Sequence, residues 1–249
     1  MPRLVVGMKV SRSEICDHEV FTLSRSIRSV RDRVVVYHTG GGETARVLAD
    51  PENEKRAVFE ALTSEGYRVV SITSSNDHWG SPRSLRAHNI LYERIASGRG
   101  HGRVAVFCQS MGGLSAYSWT CRCPERVLGI YGIYPVTNLE SMLNGKLGDS
   151  IEGVYSQQGI DIHNALSKFD PIRQIESANI SSIPAKHRHG DQDSLVRYNE
   201  NAVDFARVYR DRGGSLDLVT IRGLGHEANP AFFNPDDAVD FVNSLDWCQ

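Results

Sequence analysis

Ser110 lies in the run Val104 to Gly113, where apolar and β-branched residues give way at once to a helical pattern. A hydroxyl on such a strand-to-helix turn projects above a sheet, and small residues two positions to either side let strand and helix close up. Gly112 fills the second of those places and Cys108 the first, a small residue that still carries a Cβ. The same pattern also suits a serine that only caps a helix. A serine hydroxyl is a weak nucleophile at neutral pH. It needs an imidazole to take its proton, and the imidazole needs a carboxylate to fix its tautomer and stabilise its cation.

Both partners follow in the chain. His189, Gly190, Asp193 and Val196 form an H-G-x-x-D-x-x-V pattern, with a helical pattern directly after the acid. Asp191 is the rival acid, since aspartate also stabilises turns, and Asp193 is equally placed to cap the next helix. Asp193 is preferred as the functional acid. Of nine histidines, only His226 falls after this turn, on a loop between Gly225 and Glu227. Acyl transfer also needs donors for a developing oxyanion. The Met111 backbone N–H is one candidate. The second is expected from the glycine-rich loop His38 to Gly42, with Gly40 the first choice and Gly41 the second. His38 and Trp79, each following a strand, are candidate substrate-binding residues; Trp79 would either wall a pocket or anchor its loop.

Positioning these groups requires strands separated by helices. Strands are expected at Leu4–Val10 and Glu19–Ile27 (a hairpin or meander), Arg33–Tyr37, Tyr67–Thr73, Val104–Phe107, Val127–Tyr134, Ile183–Arg188 and Leu216–Ile221. Helices are expected at Glu43–Glu65, Ser84–Ala96, Gly112–Trp119, Leu195–Arg212 and Pro235–Leu245. Short apolar runs suit strands buried on both faces, and β-helix-β crossovers place helices on both sides of a parallel sheet. Thr137–Ile180 breaks the alternation and reads as a lid or cap insertion within a single domain, 1–249. The glycine-rich 98–102 stretch reads as a connection.

The chain has 249 residues, 28 Lys and Arg against 30 Asp and Glu, and a formal net charge of −2. Near-neutral charge speaks against nucleic-acid binding. No apolar run reaches membrane-spanning length, and residues 1–14 lack a signal peptide's apolar stretch. Five scattered cysteines do not make a disulfide framework. A cytoplasmic location is the default expectation.

On Ser110, Asp193, His226 and the His38–Gly42 loop together, the chain resembles the α/β-hydrolases, in their esterase, dienelactone-hydrolase-like or prolyl-oligopeptidase-like branches. The resemblance implies a mostly parallel sheet of about eight strands with helices on both faces, and no cofactor. It implies hydrolysis of a carboxylic ester through an acyl-enzyme, with a thioester or peptide as the alternative substrate, and the modest, polar 137–180 insertion favours short to medium acyl groups over long ones. Two departures stand: Cys108 at the first elbow glycine, and Thr39 in the oxyanion loop. Gly40, Gly42 and Ala45 also fit G-x-G-x-x-A, the dinucleotide fingerprint, but the next strand ends near Asp77, much further along, His38 crowds the strand end, and the set Ser110, Asp193 and His226 would be left without a role. A scaffold of this fold that binds a ligand without hydrolysis is the remaining alternative. His187 and His189 share a strand face without a convincing third ligand, so no metal is expected. Cys121 and Cys123 read as helix-end thiols.

Overall fold

Where alternate side chains of a strand must both be buried, a sheet needs cover on each face, and the central strands here follow that rule. The computed structural model describes residues 7–25, 33–96 and 102–247. Its strands are β1 (Met8–Ile15), β2 (His18–Arg25), β3 (Val34–His38), β4 (Arg68–Ile72), β5 (Val104–Gln109), β6 (Val127–Ile133), β7 (Ala185–Gly190) and β8 (Leu216–Ile221). They form one sheet in the order β1-β2-β4-β3-β5-β6-β7-β8. β1, β2 and β4 pair antiparallel, and every pairing from β4 through β8 is parallel. Val34, Val36, Val104 and Val106 enter one core; Val35, Tyr37, Ala105 and Phe107 enter the other. That period-2 division is what a doubly covered sheet demands.

The helices complete the two layers. α1 (Arg56–Ser64) and α9 (Pro235–Asn243) supply Val58, Phe59, Leu62 and Val242 to one core. α2 (Pro82–Ala96), α3 (Gly112–Arg122) and α8 (Asp204–Asp211) supply Leu85, Leu114, Trp119 and Phe205 to the other. Between β6 and β7 the chain forms four short helices, α4 (Leu139–Leu143), α5 (Gly148–Ser156), α6 (Ile162–Phe169) and α7 (Pro171–Gln174), with no strand among the described residues. Ile151, Tyr155 and Phe169 of this segment join the α3 side of the core.

Three expected elements differ from the structure. The first strand runs on to Ile15, because Cys16 and Asp17 (φ 48° and 63°) make a two-residue hairpin turn. Its polar residues are at home on an exposed edge strand; positions 4–6 and 26–27 of the expected hairpin lie outside the described residues, as does most of the 98–102 connection. The expected helix from Glu43 splits into a short 3₁₀ turn, Ala45–Ala49, and α1. Asp50 adopts ψ 113° ahead of Pro51, the extended geometry that a following proline favours. The expected helix from Leu195 begins as a π turn at Asn199–Val203. There the buried Asn201 side chain accepts from Thr137 and Asn138 backbone N–H groups, each at 3.0 Å, tying this element to the loop after β6. No helix among the described residues is long and apolar enough to cross a membrane.

Candidate active site

Parallel strands deliver their loops to one edge of the sheet, where open α/β sheets gather functional groups. β5 ends at Gln109, and Ser110 turns the chain into α3 with φ 48°, a left-handed conformation that costs a non-glycine residue energy. The turn is held on both sides: Ser110 N–H donates to the Ile133 carbonyl at 3.0 Å, and its own carbonyl accepts from Gly113 and Val136. Close packing explains the glycines. A Cβ on Gly112 would lie 2.2 Å from the His38 carbonyl oxygen, and one on Gly113 would lie 2.5 Å from that of Val136. Cys108 faces the core and is fully buried; burial pushes its thiol up, so it stays neutral and packs as a small apolar residue.

His226 comes from the loop after β8. Its Nε2 lies 3.0 Å from Ser110 Oγ, and its Nδ1 lies 2.8 Å from Asp193 Oδ2. The carboxylate can only accept, so Nδ1 carries the proton and Nε2 accepts from the serine hydroxyl. Asp193 combines both roles considered for it. Its Oδ1 caps the following turn by accepting from Leu195 and Val196 N–H, and its Oδ2 faces the imidazole. Burial alone would raise the Asp193 carboxyl, but hydrogen bonds from His189 and His226 outweigh it and hold the group well below the usual carboxylate range. His189 Nε2 stands between Asp193 Oδ2 (3.2 Å) and the Val196 carbonyl (2.9 Å), both acceptors, so it donates. Asp191 is a turn residue: its Oδ1 accepts from Gly223 N–H at 2.7 Å. At Gly190 a Cβ would lie 2.2 Å from the Leu224 carbonyl, so a glycine is needed for the acid turn to meet the histidine loop.

The loop after β3 departs from expectation. Gly40 N–H, the first choice for the second oxyanion donor, already donates to Glu43 Oε2 at 2.9 Å. Gly42 N–H donates to the Asn76 carbonyl at 3.0 Å. Gly41 N–H has no partner among the described residues, and neither has Met111 N–H. The same bonds fill the anion cradle that a dinucleotide would need with a carboxylate. His38 does not line a surface. It is fully buried, stacked on His88 with ring centroids 3.7 Å apart and bonded to Ser115 Oγ, because the glycines of α3 draw the helix against the end of β3. Trp79 (φ 41°) is buried as well, with its backbone N–H on Met111 Sδ, its indole N–H on Ser150 Oγ and its carbonyl accepting from Tyr155 OH. Its contacts are those of an anchor. His187 Nε2 meets Tyr117 OH at 2.6 Å.

Two contributors were missed in the sequence. Tyr134, at φ 33°, packs its ring 4.3 Å from that of His226 and accepts from Gln109 Nε2 at 2.6 Å. Its only local signal was its place at a strand end before Pro135. Glu43 left none, since its partners Tyr37, Gly40 and Lys55 meet only in the folded chain.

No family model and no curated protein sequence matches the chain. Solved structures do. A putative dipeptidyl aminopeptidase IV from Bacteroides ovatus aligns with 96% of this chain and 35% of its own, at TM-score 0.72 and 15% identity. A ferulic acid esterase aligns over 95% and 97% of the two chains, at TM-score 0.67 and 16% identity. An S-formylglutathione hydrolase from Agrobacterium tumefaciens aligns over 95% and 92%, at TM-score 0.66 and 16% identity. This chain thus spans about a third of the peptidase and nearly all of the two smaller enzymes. Sheet order, crossover pattern and these likenesses together place the chain in the α/β-hydrolase fold.

Proposed function

We propose that the chain is a serine hydrolase that cleaves a carboxylic ester of short to medium acyl length through an acyl-enzyme. The observation that carries this reading is the contact series Ser110 Oγ, His226 Nε2 and Nδ1, Asp193 Oδ2, at 3.0 and 2.8 Å, built from three loops at one sheet edge. His226 takes the serine proton as Oγ attacks the carbonyl carbon, and the ionised Asp193 stabilises the imidazolium. Met111 and Gly41 N–H groups receive the oxyanion. His226 then protonates the leaving group, and a water attacks the acyl-enzyme by the reverse proton path. No step calls for a cofactor or metal.

Residues 137–180 serve in this reading as a cap over the site. A cavity of about 360 Å³ is lined by Met142, Lys146 and Leu147 of this segment and by Ser194, Leu195 and Arg197 after the acid turn; Ser110, Met111 and His226 do not line it. The likeness to the ferulic acid esterase supports an ester; that to the dipeptidyl aminopeptidase makes an amide the second reading. The test is a fluorophosphonate probe followed by mass spectrometry, with a chromogenic ester series of rising acyl length beside aminoacyl amides. Modification confined to Ser110 and turnover of short esters are expected. A chain that the probe leaves untouched would be a ligand-binding scaffold.

A further inference from the structure

Beneath the β3 loop lies a charged cluster that the triad does not use. Lys55 has a fully buried side chain, and its Nζ donates to Glu43 Oε1 at 2.7 Å and Glu54 Oε1 at 2.6 Å. Glu43 Oε2 accepts from Tyr37 OH at 2.7 Å and from Gly40 N–H at 2.9 Å. Burial, with the charge of Glu43, raises the Tyr37 hydroxyl well above its ordinary range, so it remains a donor. The Glu43 carboxylate therefore has three donors from three places: the end of β3, the glycine loop and the residue before α1. A buried ammonium is costly unless fully paired, and a carboxylate so held has little freedom to move.

The consequence falls on the loop. Glu43 ties down Gly40 N–H, Asn76 ties down Gly42 N–H, and Gly41 N–H between them stays unclaimed among the described residues. Glu43 N–H closes the turn on the Gly40 carbonyl at 3.3 Å. A Cβ on Gly40 would lie 3.6 Å from the Gln109 carbonyl, so this turn rests on the strand end that carries the nucleophile. We propose that Glu43 is a positioning residue that, clamped by Lys55, presets the loop so that Gly41 N–H faces the oxyanion. The inference rests on the hydrolase reading and adds a residue to it. Preorganised donors of this kind act only as charge develops, so their loss lowers kcat more than it raises KM.

The experiment compares the unmodified chain with Glu43→Ala and with two variants that lack the buried ammonium, Glu43→Ala/Lys55→Met and Glu43→Gln/Lys55→Met. Each is assayed with a short chromogenic ester and with a trifluoromethyl ketone, whose serine adduct carries an oxyanion. Glu43→Ala is expected to lose kcat on the order of 10²-fold, comparable with deleting one oxyanion donor, with KM changed less than about threefold. Inhibitor affinity should fall by the same factor as kcat/KM. Glu43→Gln/Lys55→Met, which keeps an oxygen for Gly40 N–H without setting an amide N–H against a buried ammonium, should recover most of both. A Glu43→Ala chain with kcat and inhibitor affinity within about twofold of the unmodified chain would overturn the proposal, as would losses that follow thermal midpoint alone. If the unmodified chain neither labels at Ser110 nor turns over, the hydrolase reading itself fails and takes this proposal with it.

Discussion

Two corners of the same sheet edge are built by different means. At the β7 and β8 ends, close backbone approach makes the corner, with the Asp191 carboxylate as a side-chain tie. Gly190 passes the Leu224 carbonyl, Asp191 pins Gly223, and Gln192 N–H donates to Leu224. At the β3 end, side chains make it: Glu43, Tyr37 and Lys55 hold a loop whose glycines have no shape of their own. The first kind of corner writes itself into spaced glycines and acids. The second leaves only scattered polar residues, so the donor expected at Gly40 is in fact occupied.

The largest effects should come where the corners converge on chemistry. Ser110→Ala and His226→Ala are each expected to lower kcat/KM by roughly 10⁴–10⁶-fold. Circular dichroism should show both variants folded, with thermal midpoints within about 4 °C of the unmodified chain. Next, Asp193→Asn should cost roughly 10³–10⁴-fold in kcat through the wrong imidazole tautomer. By contrast, Asp191→Asn should cost less than about tenfold and about 1 kcal/mol of stability, because only a turn hydrogen bond is weakened. Equal losses at the two acids would remove the distinction drawn between them.

Smaller effects test the backbone. Gly112→Ala and Gly190→Ala each drive a methyl onto a carbonyl oxygen at 2.2 Å. Urea unfolding should show about 1–3 kcal/mol lost in each, the usual range for forced overpacking. Indifference at Gly190 would mean that the acid corner is not set by close backbone approach.

Acid should act on buried imidazoles at both corners, since burial also lowers His187 of β7 to about 3. Burial lowers His78 to about 4 and His88 to about 3, and lowers His38 well below the ordinary imidazole range; all three lie under the β3 loop. Each stays neutral in the fold while the unfolded chain takes up a proton below about pH 6.5, so stability falls with pH from there down to the folded values. Asp193 is also depressed, but its unfolded carboxyl titrates near about 3.9, so its contribution persists to stronger acid. Urea midpoints at pH 7, 6, 5 and 4 should decline across the whole range. His88→Gln should flatten that decline; an unchanged slope would show that the stacked pair does not carry it.

Much of this was legible from residue order. Strands with apolar runs, the Ser110 turn between small residues, the H-G-x-x-D pattern and the last histidine are each local features, dictated by sterics and backbone hydrogen bonding over a few residues. The role of Thr137–Ile180 was less so, because a helical segment without strands shows neither what it covers nor what it leaves open. Residue order by itself determined the alternation of elements and the chain order of hydroxyl, carboxylate and imidazole. Only the tertiary structure decided that Gly40 N–H is taken by Glu43, that His38 is buried against His88, and that Tyr134 packs on His226. Those outcomes depend on groups far apart in the chain competing for the same few donors and the same space, and no local pattern encodes the winner.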